Sequence, residues 1–298
     1  MFDLAKQSEK EIIYRLWKEY FSFDDFGYTD YFFKYQYDLG KTYVIRENNE
    51  IVSCLHVAKH PIMLNDILVS SSYIVGVITV KEYQNKGYMH QLFNHVLDIL
   101  SRQDLITYIQ GYEPDIYKMF DFNPTYYKNK YVIKRENMKM GPTSGVVINH
   151  HSKDMLRVHE KFMQKFDGYL VRNEQYYNAL QKRITSQNGY SLMCYDVNNQ
   201  PLGYALVTKE NKRMIIDEIC YLDIATLSKL LSMALMTSEE VILYSSASEA
   251  LFKVFPNLQA EKEMFAMVRI NDLRLYQKLY NNHQIKMGRK PLWFNEYA

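Results

Sequence analysis

The feature that most constrains the fold is one stretch, residues 75–100, in which the hydrophobic pattern changes its period. Residues 74–80 are rich in β-branched side chains, which is the composition of a strand. A polar segment, residues 81–86, leads to Gly87, after which apolar residues recur every three or four positions, as in an amphipathic helix. The stretch therefore predicts a strand, a tight loop and a helix that begins at the glycine.

A loop of this kind can bind an anion. The first backbone N–H groups of a helix have no intrahelical partner, and the helix dipole makes that end partly positive, which suits a pyrophosphate. Gly87 lets a phosphate come close because it has no Cβ. The side chains of Gln84, Asn85 and Lys86 can add donors and one positive charge. An ordinary strand–helix connection with a glycine at the helix start is the alternative that spacing alone leaves open.

The residue types in the loop are more specific than their spacing. Gln84-x-x-Gly87, after a strand and before an amphipathic helix, resembles the acyl-coenzyme A loop of the GNAT N-acetyltransferases, whose pattern is Gln/Arg-x-x-Gly-x-Gly/Ala. Lys81 stands where the family often has proline. Met89 stands where it usually has a small residue, and a large residue there is typical of the Eis-like (enhanced intracellular survival) branch. The resemblance implies acetyl-CoA as co-substrate, bound by Val77, Ile78, Thr79, Gln84, Asn85, Lys86, Gly87, Tyr88 and Met89.

The second half of the chain repeats the order of the first. The hairpin turn at Asn48-Asn49 recurs at Asn198-Asn199, and similar helices and strands surround both turns, which indicates a duplicated unit. The second copy has no Gln-x-x-Gly loop. Asp223 opens the corresponding helix instead, and its negative charge would repel a pyrophosphate. The sequence therefore predicts a single coenzyme site, in the first half.

The predicted fold class is α/β (α+β): tandem GNAT folds, each a twisted mixed sheet flanked by helices. We expect a catalytic domain over residues 1–140 with the acetyl-CoA loop. A second GNAT-like domain without that loop, together with a C-terminal tail, is expected over residues 141–298. Eis-like proteins usually carry a third, sterol-carrier-like domain, whereas this sequence stops soon after the second unit.

Composition excludes several other classes. The chain has 298 residues, 47% of them hydrophobic, which allows two packed cores and argues against disorder. Its net charge of +2, without a dense basic run, argues against nucleic-acid binding. Cys54, Cys194 and Cys220 have neither disulfide nor metal-ligand spacing, so we expect no metal. No apolar signal or membrane segment is present, so we expect a cytoplasmic protein without a membrane partner. The many Lys, Asn and Tyr residues suit an AT-rich bacterial genome, and the aromatic residues make homo-oligomers possible.

One tyrosine is a candidate general acid. The segment Ile116-Tyr117-x-x-Phe120-x-Phe122 resembles the Eis-like Ile-Tyr-x-x-Phe-Gly-Tyr/Phe segment, and the resemblance implies that Tyr117 protonates the leaving thiolate. A phenol with a pKa of about 10 carries its proton at neutral pH and can donate it. Asp121 stands where the family has glycine, which puts the conformation of this turn in question.

The general base is left open among several groups. Eis-like enzymes use the carboxylate of their own C-terminus, so the resemblance implies the carboxylate of Ala298, or Glu296 near it, as the base. Trp293, Phe294 and Tyr297 would anchor the tail. A tail that packs elsewhere is an equal alternative. Glu113 is a second candidate base, and deprotonation through water is a third.

The resemblance implies that the acceptor site borders the first helical pair, where Asp24, Asp25 and Phe26, together with Glu113, could attract a cationic amine. The two aspartates could equally be helix caps on a solvated loop. The resemblance as a whole implies an acetyltransferase (EC 2.3.1.-) that moves an acetyl group from acetyl-CoA to a primary amine of a small molecule or lysine, by direct attack in a ternary complex. A tandem-GNAT aminoacyl or other acyl transferase, and a non-catalytic CoA-binding module, are the alternatives.

Overall fold

The computed structural model describes residues 2–21, 27–111, 113–210, 213–249, 251–281 and 290–296. These residues form two compact units. The first unit comprises the described parts of Met1–Thr125, Phe265–Lys286 and Glu296–Ala298, and the second those of Tyr126–Met264 and Met287–Asn295. The domain boundary predicted between residues 140 and 141 refers to the two halves of the sequence and stays a prediction.

Strands and helices are numbered in chain order. The strands are β1 Phe2–Leu4, β2 Lys41–Glu47, β3 Glu50–Lys59, β4 Ile62–Leu64, β5 Ile67–Val69, β6 Ser71–Thr79, β7 Ile106–Ile109, β8 Asn123–Lys134, β9 Val146–Ile148, β10 Tyr169–Leu170, β11 Tyr190–Tyr195, β12 Pro201–Glu210, β13 Arg213–Tyr221, β14 Glu240–Ser246 and β15 Ala260–Ile270. The helices are α1 Lys10–Tyr20, α2 Tyr28–Tyr35, α3 Tyr88–Ser101, α4 Pro114–Lys118, α5 Ser152–Met163, α6 Glu174–Ser186, α7 Ile224–Met236 and α8 Leu273–Tyr280.

The first unit contains a mixed sheet with the strand order β1-β2-β3-β6-β7-β15. Neighbouring strands are antiparallel except β6 and β7, which are parallel. The turn between β2 and β3 has positive φ at Asn48 (48°) and Asn49 (69°), as a two-residue hairpin requires. The helix α1 buries Ile13 and Trp17 against this sheet, in a core that includes Ile78 of β6. The same strand thus carries the core and leads into the predicted loop.

The second unit repeats this arrangement in the order β8-β14-β13-β12-β11-β9. Its neighbours are antiparallel except β13 and β14, which are parallel. The helix α7 packs against the sheet through Leu227, Leu230 and Leu231. The mixed sheets flanked by helices confirm the predicted fold class, and the shared strand order confirms that the chain contains a duplicated unit.

The two halves of the sequence each contribute their last strand to the sheet of the other half. Residues 128–134 of β8 follow the first half's helices, yet they pair with β14. Residues 267–270 of β15 come near the end of the second half and pair with β7. The sequence of a β-strand would look the same in either sheet, because its alternating hydrophobic pattern shows which face is buried and does not identify the neighbouring strand.

Two negative findings concern the described residues. None of the helices in these ranges is both long and apolar enough to cross a membrane. Nor do His, Cys, Asp or Glu side chains within them gather in a group of three or more that could hold a metal ion. Cys54, Cys194 and Cys220 are buried free thiols in strands.

Candidate active site

The loop between β6 and α3 has a backbone that few residues adopt. After a short 3-10 turn at Lys81–Tyr83, Asn85 has φ +61° and Gly87, the N-cap of α3, has φ +81°. Both lie in the left-handed region, which glycine adopts without steric strain and asparagine with little. A Cβ built on Gly87 meets only Gln91 Nε2, at 3.7 Å, so the space above the glycine is open. The predicted strand, loop and helix are therefore confirmed, with the glycine at the helix start.

The loop and the first turn of α3 contain several backbone N–H groups without a well-formed hydrogen bond. The N–H of Gln84 donates to Lys81 O (3.3 Å), and the N–H of Gln91 donates to Gly87 O (3.0 Å). Between them, in the part of the chain that the structure describes, no N–H group of residues 85–90 makes a well-formed hydrogen bond to a protein acceptor, although residues 84–87 form a tight turn. Unpaired amides at the positive end of a helix are the donors that bind phosphate in proteins.

The corresponding helix of the second unit begins differently. Asp223 is the N-cap of α7, and its carboxylate accepts a 2.7 Å hydrogen bond from the N–H of Thr226. The side chain therefore satisfies a helix-start amide and adds a negative charge where a phosphate would have to bind. The predicted role of Asp223 as the residue that opens this helix is confirmed.

The side chains of the loop have more restricted roles than the sequence indicates. Gln84 Nε2 donates to Thr79 O (3.1 Å) and so closes the loop onto the end of β6. The ammonium of Lys86 lies 5.0 Å from the centre of the Tyr83 ring. The hydroxyl of Tyr88 donates to Glu47, and Met89 is half-buried in the first turn of α3. The candidate anion site is thus formed chiefly by backbone groups, with Lys86 as the nearby charge.

The strand that leads into the loop has an open edge. The parallel pairing of β6 with β7 ends at the pair Ile74 and Ile109, so residues 75–79 extend past the end of their neighbour. Val77 and Thr79 are half-buried there, whereas Ile78 is buried and its carbonyl accepts from Ser53 Oγ (2.9 Å). The free backbone groups of this edge can pair with an extended ligand in the manner of an added strand.

A bulge that sequence reasoning missed shapes this edge. Cys54 pairs with Ile78 but His56 pairs with Val75, so β6 has one extra residue there. Gly76 lies in the bulge with φ +60°, and a Cβ on it would come within 2.0 Å of the Trp17 ring. A lone glycine inside a β-branched run is the signal that could have predicted the bulge.

The tyrosine predicted as general acid lies on α4. Its ring packs flat against Gly111, where a Cβ would be 2.3 Å from Tyr117 Cε2, and contacts Phe93 with ring centroids 5.5 Å apart. Burial, with a smaller contribution from the charge of Glu113, raises the pKa of Tyr117 to about 12. Within the described chain its hydroxyl makes no hydrogen bond to another protein group. The phenol is therefore protonated and free to donate.

The turn after α4 keeps the shape that a glycine would give it. Asp121 has φ +64°, in the left-handed region. The N–H of Phe122 donates to Tyr117 O (3.3 Å) and the N–H of Asp121 to Lys118 O (3.1 Å), which is a Schellman ending. Aspartate tolerates this conformation better than most residues, so the turn after Tyr117 forms with Asp121 at the position where the resemblance implies a glycine.

The remaining predicted residues are only partly described. Asp24, Asp25, Phe26 and Ala298 lie outside the described residues. Glu113 is the exposed N-cap residue of α4, four positions before Tyr117. Glu296 is 1% exposed, and its carbonyl accepts at 3.5 Å from the buried hydroxyl of Tyr73, which also donates to Gln110 Oε1 (3.0 Å) just after β7.

The comparison with protein families matches the segment of the chain that contains these elements. Residues 2–125 match the family model of the acetyltransferase (GNAT) domain. This segment is a GNAT acetyltransferase domain. It contains the open edge of β6, the loop before α3, and α4 with Tyr117. The predicted GNAT resemblance is thereby confirmed for the first part of the chain, while the Eis-like branch stays a prediction. No curated protein matches the sequence.

Solved structures show the fold of nearly the whole chain. A conserved protein of unknown function from Enterococcus faecalis, a probable N-acyltransferase, aligns with a TM-score of 0.82 and 14% identity over 94% of this chain and 75% of its own. A GCN5-related N-acetyltransferase from Anabaena variabilis aligns at 0.76 and 18% over 91% and 73%. Eis1 from Mycobacterium abscessus aligns at 0.71 and 12% over 92% and 75%. At such identities the likeness concerns the fold alone.

Proposed function

We propose that this GNAT protein transfers an acetyl group from acetyl-CoA to a primary amine of a small molecule or a lysine, in a ternary complex. The observation that carries the proposal is the row of unpaired N–H groups at residues 85–90, above a glycine with open space over it. These amides would bind the pyrophosphate of the coenzyme. The second unit has Asp223 at the corresponding place, which supports one coenzyme site per chain.

The open edge of β6 would hold the rest of the coenzyme. An extended pantetheine arm can pair with the backbone of residues 75–79, beyond the last residue that β7 covers. A backbone N–H at this edge that points to the thioester carbonyl would stabilise the oxyanion as the amine attacks. Such a donor contributes about 3 kcal/mol to lowering the barrier in other enzymes.

Proton transfers complete the reaction. The amine attacks the thioester carbon, the carbon–sulfur bond breaks, and the thiolate takes a proton from the hydroxyl of Tyr117. The high pKa of Tyr117, about 12, keeps that proton in place up to alkaline pH. The candidate bases for the amine remain the carboxylate of Ala298, Glu296, Glu113 and water, and Asp24, Asp25 and Phe26 remain the candidate acceptor-binding residues.

Two measurements on the full chain test the proposal. Calorimetry with acetyl-CoA should give one site per chain, and Gly87→Val should weaken binding at least tenfold because a branched side chain both disfavours φ +81° and fills the open space. Asp223→Ala is the matched control, since it alters the helix start of the second unit and should leave acetyl-CoA binding unchanged. A protein that binds no acetyl-CoA would refute the proposal.

Thiol release over a panel of amines then separates an enzyme from a binding module. Tyr117→Phe should lower kcat by about 10²–10⁴-fold, the range for loss of a general acid, while the Kd of acetyl-CoA stays the same. Tyr83→Phe, which also removes a tyrosine hydroxyl in the first unit, is the control. Binding without thiol release for any amine would favour the non-catalytic alternative.

A further inference from the structure

The second unit has an opening like the one beside β6. The parallel pairing of β13 with β14 ends at Ile216 and Leu243, as that of β6 with β7 ends at Ile74 and Ile109. A bulge follows here too, because Leu206 pairs with Glu218 but Val207 with Ile216, which leaves Asp217 as the extra residue. We call the space between residues 217–221 of β13 and residues 244–246 of β14 the second cleft.

The chain's own C-terminal segment lies in this cleft. Residues 291–295, here the tail segment, belong to the second unit. On one side the carbonyl of Leu292 accepts from Ser246 Oγ and Ser248 Oγ, both at 3.2 Å. On the other side Asn295 Nδ2 donates to Asp217 O (3.1 Å) and to Glu218 Oε2 (2.7 Å). The tail segment thus bonds to the ends of both separated strands.

Further backbone bonds and aromatic packing hold the tail segment. The N–H of Asp167 donates to Pro291 O (2.8 Å), and the N–H of Trp293 donates to Asp167 O (2.9 Å). Trp293 is 4% exposed and packs beside His159, with ring centroids 5.9 Å apart. Phe294 is equally buried and lies 5.0 Å from the Tyr126 ring. Beside the second cleft, backbone hydrogen bonds and buried rings therefore hold the tail segment in the second unit, as such contacts hold a bound peptide.

The carboxylate of Glu218, which accepts the hydrogen bond from Asn295, is itself held in place. Glu218 makes a two-point ion pair with Arg172, at 2.7 and 2.8 Å, and accepts from Tyr204 Oη at 2.6 Å. Burial would raise the pKa of Glu218, but the charge and hydrogen bonds of Arg172 and the bond from Asn295 outweigh it and lower the pKa to about 2. The acceptor is therefore a fixed anion that recognises the amide donor of Asn295.

We propose that the second cleft is a binding site for a peptide, whose occupant is the chain's own C-terminal segment with its Leu-Trp-Phe-Asn sequence. The second unit has separated strands and a bulge like those beside β6 in the first unit, and the tail segment hydrogen-bonds to them directly. The cleft takes a chain with two buried aromatic rings followed by an amide side chain. The proposal rests on the contacts of residues 291–295 within the second unit, whereas the candidate bases of the proposed acetyl transfer, Glu296 and Ala298, follow this segment in the chain.

A truncation with peptide rescue tests it. The chain ending at Lys290 should melt several degrees below the full chain, and a synthetic peptide of residues 291–298 should restore most of the loss with saturable 1:1 binding. The peptide with Asn295→Asp should bind at least tenfold more weakly, since it places a second carboxylate against Glu218. A scrambled peptide is the control. Failure of the native peptide to bind the folded truncated chain would overturn the proposal.

A double-mutant cycle in the full chain decides the matter if the truncated chain does not fold. Asn295→Asp should lower the melting temperature, and Glu218→Gln should do so as well by removing the partner of Arg172. The melting temperature of the double mutant should fall by less than the sum of the two single decreases. The reason is that the carboxylate introduced at position 295 then faces a neutral amide donor and lies near Arg172. Strictly additive shifts would show that Asn295 and Glu218 do not interact and would refute the binding site. Acetyl-CoA binding, measured in parallel, reports separately on the first unit.

Discussion

Glu249 should make the second unit less stable as the pH rises from about 4.5 to about 7. Its side chain is 8% exposed, and it accepts hydrogen bonds from Tyr221 Oη (2.9 Å) and from the N–H of Ser246 (3.1 Å). Burial outweighs both bonds and raises the pKa of Glu249 from 4.5 to about 7. Between these values the native protein holds a proton that the unfolded chain has lost. Stability from this group is therefore present below about pH 4.5 and is lost as the pH rises to about 7.

The size of the effect follows from the interval between the two pKa values. Each pH unit over which the native state binds one extra proton changes the free energy of unfolding by about 1.4 kcal/mol. The interval from 4.5 to about 7 therefore corresponds to about 3 kcal/mol. Glu249→Gln is neutral at every pH, and it should be more stable than the unchanged protein at pH 8 by up to this amount, whereas at pH 5 the difference should be about 1 kcal/mol or less.

Urea unfolding of both proteins at pH 5 and pH 8 measures this difference. Other groups, such as the buried His159, titrate in both proteins and cancel in the comparison. Glu160→Gln, an exposed change in the same unit, is the control and should give the same difference at both pH values. If Glu249→Gln also gives the same difference at pH 5 and pH 8, the carboxyl is already ionised at pH 5 in the native state and the reasoning fails.

Three further substitutions test local arguments. Gly76→Ala should unfold the first unit at lower temperature, because it adds a Cβ within 2.0 Å of Trp17 at φ +60°; normal thermal stability would contradict the bulge. Asp121→Gly should match or exceed the stability of the unchanged protein and keep its turnover, since φ +64° suits glycine, and a lower melting temperature would count against the turn geometry. Arg172→Met should cost about 3–5 kcal/mol in urea unfolding, because Glu218 is left charged and buried; a loss under 1 kcal/mol would show that the ion pair is unimportant.

The strand–loop–helix of the first unit could be predicted because its signals are local. The change from β-branched composition to helical periodicity marks the elements, and a glycine at a helix start marks the loop. The same holds for Asp223, whose cap depends on residues within one turn. The direction of the Gln84 side chain was not predictable, because an exposed amide can bond to a ligand or to its own strand with similar energy, and here it bonds to Thr79.

Residue chemistry and short-range order along the chain were enough to recognise two similar units, one of them with a loop of free amides. These sequence features did not identify which strands pair with each other. Three features join residues that are far apart in the chain. They are the exchange of β8 and β15 between the sheets, the bulge at Gly76, and the binding of the tail segment in the second cleft. Contacts of that kind depend on which surfaces fold against each other. A strand or a tail carries the same pattern whichever complementary surface buries it.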